Sequence, residues 1–281
     1  MGRTIACANQ KGGVGKTTTV VNLASYLAIG GNRVLVVDLD PQGNATSGLG
    51  VDRAMTSGSV YDALVGGQSL GSLIVQGTAV GVDVIPSSVS LAAAETELAN
   101  APSREHRLDA LLTAVTSGYD VALIDCPPSL GLLTINALTA ADAVLIPLQC
   151  EYYALEGLTQ LLGIVELVRD QLNPGLALNG VVLTMADGRT NLSSEVDDEV
   201  RRHLGERVYT TVVPRSVRLS EAPSHGLPIS AYAPSSRGAL AYAALADEFR
   251  ARLGLSPGSA TTDRQPDSTN SIASPVAMVL S

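Results

Sequence analysis

Short runs of β-branched and aliphatic residues alternate along the chain with longer stretches whose apolar positions recur every three or four residues. That alternation predicts strands at Thr4–Ala8, Arg33–Asp38, Val82–Pro86, Tyr119–Asp125, Ala143–Leu148, Leu178–Met185 and Val208–Val213. Between them it predicts helices at Lys16–Ile29, Arg104–Thr116, Leu130–Ala140, Ala154–Leu172, Ser193–Leu204 and Arg237–Leu253. Strands separated by helical stretches read as crossover units, so the expected fold class is α/β: a mostly parallel, twisted sheet with helices on both faces. The periodicity stops after Gly254. Residues 256–281 hold six serines, three prolines and three threonines, with little apolar content before Val276–Leu280. Such a segment buries too little surface to offset its ordering entropy, and disorder is expected there.

Composition narrows the class. At 281 residues the chain can bury a sizeable core without disulfide staples. Its longest apolar runs, such as Val121–Ile124 and Ala143–Ile146, fall far short of the roughly 18 residues that cross a bilayer. Cys7, Cys126 and Cys150 form an odd, widely spaced set with no C-x-x-C pair, which argues against a disulfide framework or a zinc site. The polar Asn9-Gln10-Lys11 arrives too early for a signal-peptide core, so a soluble, cytoplasmic protein is expected. The net charge of −9 is unevenly placed: between 200 and 220 stand Arg201, Arg202, Arg207, Arg215 and Arg218 against Glu206 alone, a local balance of +4.

The strongest chemical signal is Gln10-Lys-Gly-Gly-Val-Gly-Lys-Thr-Thr18, set between the first strand and the first amphipathic helix. Gly12, Gly13 and Gly15 let the backbone come close to an anion with its N–H groups turned inward, and the following helix adds its positive N-terminus. Lys16 supplies a point charge for the β and γ phosphates, and Thr17 a hydroxyl for Mg²⁺, as in P-loop NTPases. The usual G-x-x-x-x-G-K-[ST] pattern needs glycine at position 10. Here Gln10 is followed by an extra lysine, Lys11, so the loop is a deviant one. The chain has 16 arginines and two lysines, and both lysines lie in this loop. The compact ammonium is kept where phosphate has to be met.

Two carboxylate motifs stand at strand ends: Asp38-Leu-Asp-Pro-Gln42, and Asp125-Cys-Pro-Pro128, the latter similar to a Walker B aspartate. Ligands of open α/β sheets bind outside the carboxyl ends of the strands, so Asp38, Asp40 and Asp125 fall at the correct edge. Alone, each would read as turn chemistry; beside a phosphate loop they read as a metal anchor and a water-orienting group.

Lys11–Thr18, Asp38–Thr46, Asp125–Gly131 and Pro214–Gly226 together resemble the ParA/Soj chromosome-partitioning ATPases, with a match over roughly residues 1–253. The resemblance implies a single ATPase domain over 1–255 followed by the tail, with ATP and Mg²⁺ as cofactors. It implies an ATP-dependent sandwich homodimer that binds double-stranded DNA without sequence preference. Hydrolysis stimulated by a ParB-type (Spo0J-type) centromere-binding protein then releases it, driving chromosome or plasmid segregation at the nucleoid. By position, Lys11 is the signature lysine that crosses the dimer, Lys16 the phosphate-loop lysine and Thr17 the Mg²⁺ ligand. The loop residues Gly12, Gly13, Val14, Gly15 and Thr18 cradle the nucleotide. Asp40 orients water, Asp125 holds the metal through water, and Asp38 stands beside that water shell. Pro214 packs at the adenine, and Ser216 stands where family members often carry asparagine. Arg189, Arg215 and Arg218 are the DNA-binding candidates. The tail offers one arginine and no basic amphipathic helix of the MinD kind, so no stable membrane association is expected. An ATP-dependent synthetase on the same scaffold and a metal-cluster carrier are the other classes weighed; no small-substrate motif and no cysteine pair supports them.

Overall fold

In the computed structural model, which describes residues 2–78, 80–151, 154–187 and 190–256, strands β1 (Arg3–Cys7), β2 (Val34–Asp38), β3 (Asp83–Ile85), β4 (Val121–Asp125), β5 (Ala143–Gln149) and β6 (Ala177–Thr184) form one sheet. Their order is β3-β2-β4-β1-β5-β6, and each neighbouring pair is parallel. Central strands are apolar on both sides because both faces are covered: every residue of Val34–Asp38 and of Val121–Asp125 is buried. Arg189 and the tail beyond residue 256 lie outside the described residues.

Two apolar layers flank the sheet. On one face, helix α1 (Lys16–Ile29) packs beside the helix Arg237–Leu253, joining Leu23, Leu27, Leu245 and Phe249 to Ile5 and Val36. On the other, Leu132–Ala140 and Ala154–Gln171 bring Leu138, Leu161 and Val165 against Ile124 and Val144. The helix Arg237–Leu253 is bounded as its sequence suggests. The Ser236 hydroxyl accepts the Ala239 N–H at 3.2 Å, and Gly254, with φ of 64°, closes the far end.

The expected parallel α/β sheet is present, with two local corrections. Val208–Val213 is not a seventh strand. It touches β6 through one bridge, Val181 to Val208, with N–H bonds from Tyr209 to Val181 and from Val213 to Leu183, and a second isolated bridge pairs Ala186 with Pro214 just beyond both segments. The N–H groups of Thr210 and Thr211 donate instead to the Glu248 carboxylate at 2.8 and 3.0 Å, so no ladder runs through. The helix expected over 104–116 is likewise interrupted: a 3₁₀ turn at Arg104–His106 leads into Arg107–Leu112, and a second turn covers Thr116–Gly118. Asn136 accepts the Leu108 N–H and donates to the Arg104 carbonyl, satisfying the first turn from outside. Short helices at Asn44–Gly48, Val60–Leu64, Leu91–Glu97 and Val217–Glu221 complete the loops.

Candidate nucleotide site

All six strands end on one edge, and each end contributes a polar group there: the glycine loop after β1, Asp38 of β2, Ser87 after β3, Asp125 of β4, Glu151 after β5 and Thr184 of β6. The loop is held open from two sides. Asn9 donates to the Pro147 carbonyl at 2.8 Å and accepts the Lys11 N–H at 3.0 Å; Thr184 donates its hydroxyl to the Val14 carbonyl at 2.8 Å. Gly13 and Gly15 have φ of 74° and 91°, a left-handed backbone that side chains with a Cβ rarely adopt. Gly15 opens α1 without a side-chain cap, and the helix bond from Thr19 N–H to Gly15 leaves the N–H groups of residues 16–18 for an anion.

The two lysines differ. Lys16 is buried, and its ammonium donates to the Lys11 carbonyl across the loop at 3.0 Å. Burial lowers its pKa, an effect opposed by the nearby Cys7 and Asp125. Lys11 is exposed and points the other way, pairing with Glu151 at 2.6 Å.

Asp38 and Asp125 are register partners on β2 and β4 and are both fully buried. Burial pushes the Asp38 carboxyl up to about 6 despite hydrogen bonds from Thr46. It pushes Asp125 well up too, reinforced by the charge of Asp38. Asp125 Oδ2 accepts the Thr17 hydroxyl at 2.7 Å, whereas Asp125 Oδ1 is buried with no hydrogen-bond partner. A buried carboxylate oxygen without a partner is costly, and one aimed at a cation's water shell gains that partner. Among the described residues no three His, Cys, Asp or Glu side chains cluster as a metal cage. The Thr17 hydroxyl and the partnerless Asp125 Oδ1 suit Mg²⁺, which keeps several waters and binds through one or two side chains plus phosphate oxygens. Asp40, nearly buried, accepts the Gln42 N–H at 2.9 Å.

A cavity of about 370 Å³ opens beside the start of α1, between Thr17 and Thr18 on one side and Pro214 and Ser216 on the other, with Met185 and Tyr242 at its walls. Sequence reasoning assigned the phosphate and base ends and missed Asn9, Thr184 and Ser87, polar residues at or just past strand ends that no motif marks; Thr46, in the short helix after β2, falls inside the Asp38–Thr46 motif but received no role. Arg215 also lines this cavity, so one DNA-binding candidate stands at the nucleotide side. Arg218 is exposed and pairs with Glu221 at 2.9 Å. Arg201 pairs with Asp197 and Arg202 with Glu199. The +4 balance of residues 200–220 therefore overstates the free charge, because these three counter-charges lie just outside that window. Arg189 falls outside the described residues.

A strand, a glycine loop, a helix and carboxylates on the adjoining strands define a P-loop ATPase. A family model described as an AAA domain matches residues 2–178. The chain is 59% identical over 251 residues to the sporulation initiation inhibitor protein Soj of Bacillus subtilis strain 168, covering 89% of this chain and 99% of that one. It is 50% identical over 252 residues to the chromosome partitioning protein ParA of Myxococcus xanthus, covering 90% and 89%. Among solved structures, cobyrinic acid a,c-diamide synthase from Mycobacterium smegmatis with bound ADP and magnesium is similar at a TM-score of 0.78 and 38% identity, over 92% of this chain and 99% of that one. The chain belongs to the ParA/Soj family of chromosome-partitioning ATPases. It is an ATPase with ATP and Mg²⁺ as cofactors. Among the described residues no helix is long and apolar enough to cross a membrane.

Proposed function

We propose that residues 1–255 form one ATPase domain that works as an ATP-gated DNA clamp at the nucleoid. The ATP-bound chain pairs with a second copy, holds duplex DNA by its backbone, and lets go when a ParB-type protein stimulates hydrolysis. The observation that carries this reading is the divergence of the two loop lysines, Lys16 buried over its own loop and Lys11 exposed away from it. An exposed ion pair such as Lys11–Glu151 is worth only about 0–1 kcal/mol. Lys11 can exchange it for a second molecule's phosphate at little cost.

In this mechanism the N–H groups of residues 12–18 and the Lys16 ammonium hold the phosphates, and Pro214 and Ser216 border the base. Thr17 and, through water, Asp125 hold Mg²⁺, with Asp38 behind them. The metal, when bound, neutralises charge on the phosphate oxygens. Asp40 orients the attacking water. Arg189, Arg215 and Arg218 face DNA phosphates, and a dimer doubles their number, so affinity is to fall steeply with salt.

The test is the ATPase rate with and without nonspecific duplex DNA and a basic ParB-type peptide. Strong stimulation by both together is expected. The likeness to a diamide synthase supports the competing reading of a synthetase, and stimulation by a small carboxylate alone would decide for it.

A further inference from the structure

A closed ring of hydrogen bonds lies behind Asp40. The Asp40 N–H donates to Asp38 Oδ1 at 3.2 Å, and the Asp40 carbonyl accepts the Ser87 hydroxyl at 2.6 Å. The Ser87 N–H donates to Thr46 Oγ1 at 3.1 Å, and the Thr46 hydroxyl donates to Asp38 Oδ2 at 2.6 Å. The Thr46 N–H reaches that same oxygen at 2.7 Å. Each donor direction is fixed. An ionised carboxylate only accepts, so the Thr46 proton goes to Asp38 and a Thr46 lone pair is left for the Ser87 N–H; the Ser87 proton then goes to the carbonyl. Asp38, Thr46 and Ser87 are all buried, so water does not compete for these bonds.

The ring holds both polar groups of the Asp40 backbone, one from the end of β2 and one from the exit of β3. Asp40 follows its strand into a Pro-Gln-Gly turn and has no ladder of its own; besides the ring, its carbonyl takes only the Gly43 N–H, at 2.8 Å, within the same turn. We propose that Thr46 and Ser87 are positioning residues for ATP hydrolysis, clamping the Asp40 main chain so that its carboxylate is aimed at the attacking water. The proposal rests on the assignment of Asp40 to that water. Neither residue lines the cavity beside Thr17 and Thr18, so the clamp is to act on turnover and leave nucleotide binding alone.

The test is kcat and KM for ATP, with nucleotide affinity measured in parallel, on the full chain with DNA and peptide present. Thr46→Val keeps the shape and removes the hydroxyl that links two sides of the ring. It is expected to lower kcat by about tenfold or more, since displacements of about 1 Å cost up to 100-fold. KM and nucleotide affinity should stay within about twofold of wild type. Thr46→Ser should restore most of the rate, and Ser87→Ala should show a smaller kcat loss because Gly43 still holds the carbonyl. Wild-type kcat in Thr46→Val overturns the proposal. So does Thr46→Ser as impaired as Thr46→Val, or turnover and affinity falling together. Asp40→Ala separates the two levels: a normal rate there removes the reading beneath, whereas a slow Asp40→Ala beside a normal Thr46→Val removes the clamp alone.

Discussion

The nucleotide edge of the sheet and the arginine-rich surface after β6 are built on opposite principles. At the edge, polar groups are buried or half-buried and tied to partners brought in by strand ends and the loops that follow them: Thr17 to Asp125, Thr46 to Asp38, Thr184 to Val14. On the surface the charges stay in water and pair with neighbours three or four residues away, as Arg201, Arg202 and Arg218 do. Buried networks fix geometry and are expensive to break; exposed pairs of this kind contribute about 0–1 kcal/mol and are readily exchanged. A chemical site needs the first property. A reversible grip on a phosphate backbone needs the second.

The largest effect that separates the two regions is expected from Lys16→Ala. Removing a charged donor from the phosphates should weaken Mg·ATP by about a hundredfold, and titration calorimetry measures it directly; a wild-type heat would place the phosphates elsewhere. Next comes Arg218→Glu. It should abolish retention on duplex DNA while leaving nucleotide affinity intact, with wild-type binding falling steeply with salt. A flat salt dependence would remove the arginine surface from the account.

A pH effect sharpens the buried side. Asp38 rises from 3.8 to about 6 in the folded protein. Its contribution to stability is therefore full below about pH 4 and lost as pH climbs through 6. Relative to Asp38→Asn, the wild type should thus lose stability between pH 4 and pH 6 in denaturant titrations. An unchanging difference would mean that the carboxyl is solvated. The smallest effect belongs to the surface: Glu221→Gln frees Arg218 and should raise DNA affinity severalfold while changing stability by less than about 1 kcal/mol. DNA affinity unchanged in Glu221→Gln would mean that the pair does not compete with phosphate.

Local sequence carried most of the fold, because each strand and its crossover helix announce themselves by period. What it could not carry was set from a distance. Val208–Val213 has a strand's composition, yet Glu248, far along the chain, takes two of its N–H groups. The same limit applies at the site. Lys11, Lys16 and Thr17 lie inside one short motif, and Asp38, Asp40 and Asp125 follow apolar runs, so their shared edge was legible. Ser87 was not, since its partners Asp40 and Thr46 lie 47 and 41 residues away, and Thr46, though inside the Asp38–Thr46 motif, shows its role only through the fold that brings Ser87 to it. The arginine window misled for a simpler reason: its counter-charges begin one step beyond either end.

The pairing of one hidden and one outward ammonium also leaves the chain with a single lysine open to labelling. With only two lysines in the chain and Lys16 buried, an amine-reactive probe meets one open lysine side chain, at position 11. Its acylation rate becomes a one-site reporter on whatever shields the mouth of the loop.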